Sequence, residues 1–352
     1  MATVLPLLAR HHEAARSSLP AKVYDYYASG SGQQLSVGEA SESWSRYRLR
    51  PRVLRDVARP DLSVELLGDA FASPVGFAPS AFQRLAHDDA ERASAAAARS
   101  AGALFVLSTR SSLLIEDVAA VAGPWWFQVY VMKDRALTKA VVQRAAAAGA
   151  RALVLTGDTP LVGRKYAVGA ERIALPDDHF AVNLARHLGH GEDARAAAAQ
   201  DPSVTLEAIG WLADASRLPV VVKGVLRDDD AAACLDAGAA GVVVSNHGGR
   251  QLDRAVPTAA ALPAVVEAVA GRGVVLVDGG IRSGADVLTA LALGADAVLL
   301  GRPVLWALAA GGQDGAQALL TAMNDDLAHV CALAGAARIA DLDPSWVLPP
   351  FR

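Results

Sequence analysis

Val242-Val243-Val244-Ser245-Asn246-His247-Gly248-Gly249-Arg250-Gln251-Leu252-Asp253 joins an apolar, β-branched run to a polar loop softened by two glycines. The run reads as a buried strand. Its C-terminal end delivers a histidine, which can take a proton near neutral pH. Three residues later comes an arginine, which can hold a carboxylate through two parallel hydrogen bonds. A base beside an anion clamp suits oxidation of a small hydroxy acid. The plainer reading of the histidine is structural. The chain has 8 histidines, and His11, His12, His187 and His190 sit in polar or alanine-rich stretches with no strand before them. His247 is set apart by its strand, its glycines and its arginine.

The pattern of apolar run, polar end and alanine-rich helical stretch recurs along the chain. Strands are expected near 74–79, 103–107, 126–130, 152–156, 219–223, 240–245, 273–277 and 296–300. Helices are expected near 88–101, 112–122, 134–148, 204–216, 228–237, 258–270, 283–293 and 302–310. Eight βα units in about 240 residues match the span of a closed (β/α)8 TIM barrel. The strand ends carry Pro79-Ser80-Ala81, Ser108, Gln128 with Tyr130, Thr156 with Asp158, Lys223, Asn246-His247, Asp278-Gly279-Gly280 and Gly301-Arg302. Nearly all the chemically useful groups thus lie at one end of the strands, where such a barrel holds its active site. A doubly wound open sheet would gather them at one crevice instead. The expected class is therefore α/β: one barrel domain over 1–352. Residues 1–60 form an N-terminal helical extension, 160–203 a long lid-like loop after strand four, and 313–334 a C-terminal helix. The middle of the loop, 193–201, is alanine-rich and charged enough for a solvent-facing helix.

Composition narrows the function classes. A hydrophobic fraction of 53% supplies a sizeable core in 352 residues. A net charge of −4 with no basic tract argues against nucleic acid as a partner. Cys234 and Cys331 lack metal-ligand spacing, so no metal is expected, and they point to buried thiols in a reducing compartment. The longest uncharged run, Val118 to Met132, is too short to span a membrane and contains Pro124. The N-terminus lacks a basic segment followed by an apolar core, and Pro349-Pro350-Phe351-Arg352 is not a peroxisomal address. The expected location is the cytoplasm.

Two glycine–arginine loops follow strands seven and eight: Asp278-Gly279-Gly280-Ile281-Arg282-Ser283 and Gly301-Arg302-Pro303. Glycines let backbone N–H groups approach an anion, each loop opens a helix, and the arginines add countercharge. Two such loops favour a phosphate pocket over a plain tight turn. Lys223 closes Val220-Val221-Val222-Lys223 and would sit inside the barrel mouth, where a cation needs an anion. A reduced flavin offers one, whereas a lysine snorkelling over the rim fits four apolar residues less well.

The chain closely resembles the FMN-dependent α-hydroxy-acid oxidising enzymes, which include glycolate oxidase, lactate oxidase and mandelate-oxidising members. Ser245-Asn246-His247-Gly248-Gly249-Arg250-Gln251 matches their active-site signature. The likeness runs from about Tyr24 to Leu333 through Phe127-Gln128-Val129-Tyr130, Thr156-Gly157-Asp158-Thr159-Pro160, Gly163-Arg164, Val222-Lys223-Gly224 and Asp278-Gly279-Gly280. It implies an FMN-binding barrel, commonly a homotetramer or homo-octamer, that uses a 2-hydroxy acid and O2. Carried onto matching positions, His247 is the base, Asp158 its partner, and Tyr130 a donor to the substrate hydroxyl or developing keto oxygen. Arg250 holds the carboxylate with Tyr26 and Arg164. Lys223 faces flavin N1 and O2, while Gln128, Thr156 and Ser108 bond the ring edge. Pro79, Ser80 and Ala81 lie near N5, and Ser245, Asp278, Gly280, Arg282, Gly301 and Arg302 complete the cofactor set.

The implied reaction is oxidation of an (S)-2-hydroxy acid to the 2-oxo acid, with O2 reduced to hydrogen peroxide. A dedicated electron acceptor is the alternative. Whether the proton leaves oxygen or carbon is left open. Val277 to Gly315 is especially similar to the actinobacterial 4-hydroxymandelate oxidases; most of it is helix packing and phosphate binding, so it reports ancestry more than substrate, and an aromatic, mandelate-type acid stands beside lactate or glycolate as the alternative. Two departures stand out. Arg110, in Ser108-Thr109-Arg110-Ser111-Ser112, occupies the position where plant glycolate oxidases place a pocket tryptophan. It would reach a polar or second anionic group on the substrate, or else point to solvent or pair with the lid. His87-Asp88-Asp89-Ala90-Glu91 replaces the usual His-Pro-Glu-Gly-Glu and is expected to affect packing. A flavin-barrel isomerase would share the phosphate loops without needing His247 and Arg250 at this spacing. A flavin-binding scaffold would not keep the whole set of Tyr26, Tyr130, Asp158, Arg164, His247 and Arg250.

Overall fold

The computed structural model describes residues 3–166, 182–184, 187, 196 and 198–349. Most of the long connection expected over 160–203, including the start of the 193–201 stretch, lies outside the described residues. Eight parallel strands close into a barrel: β4 (Val75–Phe77), β5 (Phe105–Ser108), β6 (Trp125–Val129), β7 (Leu153–Thr156), β8 (Val220–Val225), β9 (Gly241–Val244), β10 (Val274–Asp278) and β11 (Ala297–Leu300). Each falls within a residue or two of its expected position. Alternation of side chains along each strand divides the apolar residues in two. Val106, Trp126, Val154, Val221, Val243, Leu276 and Leu299 point inward and pack together. Leu107, Phe127, Leu153, Val222, Val242 and Val277 point outward into the core shared with the helices.

Those helices are α4 (Ala90–Ser100), α5 (Ile115–Ala119), α6 (Arg135–Ala147), α7 (Glu207–Ser216), α8 (Asp228–Asp236), α9 (Thr258–Val269), α10 (Gly284–Ala292) and α11 (Arg302–Ala334). The helices expected at 302–310 and 313–334 are joined in α11, with non-helical backbone at Gly311 and Gly312 marking the seam. Ahead of the barrel come α1 (Val4–Ser18), α2 (Ala21–Ala28) and α3 (Leu35–Ser45). The helical extension expected over 1–60 stops there. Residues 50–60 run over the surface without regular secondary structure, and β1 (Arg48–Leu49) pairs antiparallel with β12 (Val347–Leu348). Six arginines between 46 and 59 explain the missing helix, because that stretch offers no apolar face to bury.

A second strand pair, like β1 and β12, lies outside the strands expected from sequence. β2 (Val64–Leu66) and β3 (Asp69–Phe71) form a hairpin around Leu67 and Gly68, both at positive φ, as a two-residue turn of this hand requires. Its Leu66 and Phe71 join the inward-facing barrel cluster. The hairpin therefore closes the end of the barrel opposite the strand C-termini, leaving only the C-terminal mouth for chemistry.

The departure at the start of α4 has a structural cost. Ala90 is buried at φ 45°, in the left-handed region that favours glycine. The next residue, Glu91, is fully buried. Burial pushes its carboxyl above the usual range, against hydrogen bonds from Ser112 and Gln83. Its Oε1 accepts from the backbone N–H groups of Gln83 and Ser112, and its Oε2 from the Ser112 hydroxyl. Glu91 thereby ties the loop after β4 to the loop after β5. Removing it strands three buried donors, each costing about 1–3 kcal/mol when unmatched. Glu91→Ala is expected to lower unfolding free energy by on the order of 3 kcal/mol in a denaturant titration. A loss under 1 kcal/mol would disprove this account.

Candidate active site

Moving two residues beyond the last inward apolar side chain of a strand keeps the same face and reaches the mouth. From Val106, Trp126, Val154, Val221, Val243 and Leu276 that step arrives at Ser108, Gln128, Thr156, Lys223, Ser245 and Asp278. These six form a polar layer on top of the apolar one. Ser108 Oγ donates to Gln128 Oε1 at 3.2 Å, and Gln128 Nε2 donates to Thr156 Oγ1 at 2.9 Å. On the opposite wall, Lys223 Nζ donates to Ser245 Oγ at 2.7 Å, Ser245 Oγ donates to Asp278 Oδ1 at 2.7 Å, and Nζ pairs with Asp278 Oδ2 at 3.0 Å. Lys223 therefore lies inside the mouth, as its position after four apolar residues suggests. Its anion is supplied by the protein itself.

Above this layer the loop after β9 turns through left-handed backbone at His247, Gly248 and Gly249. Positive φ at a histidine is uncommon and costs strain, which here aims the ring. His247 Nδ1 lies 3.0 Å from Asp158 Oδ1, and Thr159 Oγ1 donates to the same oxygen at 3.1 Å. A proton on Nδ1 leaves the Nε2 lone pair for a base. Burial would raise the Asp158 carboxyl, but the His247 ring, Lys223 and Thr159 together hold it below the usual carboxylate range. The Tyr130 phenol goes the other way, pushed well up by burial and by the neighbouring Asp158 charge. It stays a hydrogen-bond donor at any working pH. Two buried acceptors in this region, Asp158 Oδ2 and Asn246 Oδ1, have no hydrogen-bond partner among the described residues.

The N-terminal extension enters the site because three segments pack backbone to backbone. A Cβ on Gly163 would lie 2.5 Å from the Arg250 carbonyl oxygen, so only glycine lets the loop after β7 sit on the loop after β9. Gln251 secures the contact, accepting from Gly163 N–H and donating to the Leu161 carbonyl. The turn after α2 completes it: Gly32 N–H donates to Arg164 O and Ser31 N–H to Gly249 O. Tyr26 is thereby brought against Arg250, whose guanidinium lies 5.1 Å from the ring centroid. Arg250 Nη1 donates to the carbonyls of Tyr26, Tyr27 and Ser29. Arg164 is exposed, and among the described residues its carbonyl is the part that is tied in. Lys165, which the sequence reading passed over, is instead turned inward onto Tyr26 and Ser29. Only its place beside Arg164 could have pointed to it.

The two helix termini of the expected phosphate pocket differ in the structure. The α10 N-terminus is already filled by protein carboxylates: Ser283 and Asp286 form a capping box, and Gly284 N–H donates to Asp326. Gly280 is required by its backbone at φ 83° and by packing, because a Cβ there would collide with the Ala40 carbonyl oxygen of α3. The α11 N-terminus after Gly301 has no side-chain cap. Beside it lie Arg282, donating to the Ile281 carbonyl, and Arg302, donating to those of Tyr27 and Ser29. Burial, together with Arg250 and Arg282, pulls Arg302 down to about 9. Burial lowers Arg282 as well. Such a cluster of half-buried cations, bonded to neutral carbonyls, fits a phosphate.

The loop after β4 brings Pro79, Ser80 and Ala81 to the rim, with Ser80 Oγ donating to the Ala78 carbonyl. Beside it, Arg110 N–H donates to Ser108 Oγ, and Arg110 Nη2 donates to the Ala198 carbonyl at 2.6 Å. Arg110 therefore reaches across to the far end of the long connection, and its charge is felt by Tyr26 and Tyr130.

Residues 15–349 match the model of the family described as FMN-dependent dehydrogenase. The chain is 42% identical to an L-lactate oxidase of Nostoc sp. over 97% of both chains. It is 43% identical to a 4-hydroxymandelate oxidase of Amycolatopsis orientalis, over 93% of this chain and 94% of that one. A solved mandelate oxidase superposes with a TM-score of 0.88 at 43% identity, covering 95% of each chain.

Proposed function

The chain belongs to the FMN-dependent dehydrogenase family, and from that premise we propose that its substrate is an (S)-2-hydroxy acid with an aromatic, mandelate-type side chain. The enzyme is an FMN-dependent 2-hydroxy-acid oxidase, converting hydroxy acid and O2 to 2-oxo acid and hydrogen peroxide. The observation that carries the oxidase reading is the His247–Asp158 pair at 3.0 Å, raised over a polar layer beside Arg250, while the aromatic side chain is supported by the likeness to mandelate-type oxidases.

The residues fit the cofactor. Arg282, Arg302 and the uncapped α11 terminus would hold the phosphate; Ser108, Gln128, Thr156 and Lys223 would meet the polar edge of the ring. When bound, FMN supplies the two-electron acceptor and returns the pair to O2. The protein does the rest. Arg250, with Nη1 already engaged by carbonyls, offers its remaining N–H groups to the substrate carboxylate, and Tyr26 covers it. His247 Nε2 takes the substrate proton, and the Asp158 carboxylate stabilises the cation so formed. Tyr130, held protonated, donates to the substrate oxygen that becomes the carbonyl.

We also propose a cytoplasmic homotetramer or homo-octamer. Cys234 and Cys331 are buried free thiols, and among the described residues no helix is long and apolar enough to cross a membrane. The exposed Val53 and Leu54 are apolar surface that an assembly would cover.

The substrate is tested by anaerobic mixing of the yellow holoenzyme with the (S) forms of mandelate, 4-hydroxymandelate, lactate and a 2-hydroxy diacid, and with glycolate, then admitting air. The aromatic acids should bleach the flavin fastest, with colour and peroxide returning in air. Fastest bleaching by lactate or glycolate would move the substrate to the small aliphatic acids. A preference for the diacid would place Arg110 on the substrate. Bleaching without recovery in air would point to another electron acceptor.

A further inference from the structure

Tyr26 reaches the site on a short helix from the N-terminal extension, far in sequence from the barrel, so something must hold its ring in register. Arg250 lies on one side, 5.1 Å from the ring centroid. Lys165 Nζ lies at the same distance of 5.1 Å. The Lys165 ammonium also donates to Ser29 Oγ at 2.8 Å and to the Tyr26 carbonyl at 3.2 Å. The same stretch of backbone receives Arg250 Nη1 on Tyr26, Tyr27 and Ser29. The two cations thus grip one tyrosine and one turn.

We propose that Lys165 is a positioning residue, whose ammonium fixes Tyr26 and, through the shared carbonyls, Arg250 in the geometry that receives the substrate carboxylate. This rests on the hydroxy-acid reading of the same site. Lys165 projects from the loop after β7, bridged in parallel to Gly32, so it also couples the root of the long connection to the extension. Losing the ammonium would cost two charge-assisted hydrogen bonds and the cation–ring contact.

Among the described residues, the charged and titratable groups facing Lys165 are Arg250 from the loop after β9, Arg302 from α11, and Asp25 and Tyr26 from α2. Burial, Arg250 and Arg302 pull the ammonium down to about 8, with Asp25 opposing. A lysine is charged below that value and neutral above it, so the grip holds at neutral pH and loosens in mild alkali. Anions docked at Arg250 and Arg302 would relieve both repulsions. By linkage, ligand binding near pH 8 should then be accompanied by proton uptake.

The test is titration of the holoenzyme with two unreactive 2-oxo acids, pyruvate and benzoylformate, following flavin absorbance from pH 6.5 to 9.5. Wild type should bind both more weakly as pH rises above about 8, because the flavin phosphate at Arg302 relieves part of the repulsion on Lys165. Lys165→Met should bind both about tenfold more weakly at pH 7, with no change in affinity through that range. Lys165→Arg, charged throughout, should keep the tight value to pH 9. A lysine serving only to fill space would lower affinity in the methionine variant without flattening its pH profile. Wild-type-like affinity and pH profile in Lys165→Met would overturn the proposal while leaving the hydroxy-acid reading intact. Failure of both oxo acids to perturb wild-type flavin would strike that reading first, and the proposal with it.

Discussion

Replacing His247 by glutamine should slow flavin reduction by a 2-hydroxy acid by about 10²–10⁴-fold in anaerobic single-turnover mixing, with flavin still bound. Glutamine keeps the length of the side chain and a polar end but cannot take a proton near neutral pH. The loss should fall on the reduction step, because Arg250 and Tyr26 are held by backbone contacts independent of the ring. The size of the effect follows from the preparation of the histidine. Its backbone is held in the left-handed region, and its Nδ1 is held at 3.0 Å by a carboxylate. The pH dependence of that support has a definite sign. The folded-state value of Asp158 is depressed, so its ionic support is fully present above the ordinary carboxylate range. It fades only as pH falls through the lower folded value. The base therefore keeps its partner across every pH at which the enzyme would be assayed. A reduction rate within tenfold of wild type in His247→Gln would remove the histidine from the chemistry.

The sequence disclosed what local repetition encodes. Strand β9 and its seven counterparts announce themselves as short apolar runs, and a step of two residues from each inward side chain locates Ser108, Gln128, Thr156, Lys223, Ser245 and Asp278. The layer that meets a cofactor follows from strand periodicity alone. What stayed hidden depends on partners distant in the chain. The hairpin of Leu66 and Phe71 gains its meaning from the barrel end it closes. Ser283 and Asp286 form an ordinary capping box that sequence could have shown, yet the glycines beside them suggested an anion site at the same helix terminus. Arg164 and Lys165 are adjacent cations, and only the packing of Gly163 on Arg250 decides which turns inward. Glu91 reads as a helix-opening acid but is a buried tie between two loops. Except at that local capping box, identity was visible and direction was not, because direction is set by contacts between separate segments of the chain.

Lys223→Met should lower unfolding free energy of the flavin-free protein by about 3–5 kcal/mol, and its melting temperature by roughly 5–10 °C. The lysine and Asp278 are both almost wholly buried, with side chains 5% and 9% exposed. Coulomb attraction in such a place is offset by the desolvation of both ions, so the pair need not add much net stability. Removing one member is another matter, because it leaves a carboxylate in the barrel mouth with one hydroxyl donor, Ser245, at 2.7 Å. Asp278 would then resist ionisation, and stability would fall most at high pH, where its charge is forced. The neutralised double variant Lys223→Met/Asp278→Asn should recover most of the loss, since an amide can still bond Ser245 without a buried charge. If the double variant is as unstable as the single one, lost packing around the lysine stem is the cause, and the ionic argument fails. Flavin affinity should separate from stability in the same pair of variants. The double variant regains the fold but lacks the cation that faces the ring edge, so it should still bind FMN more weakly than wild type.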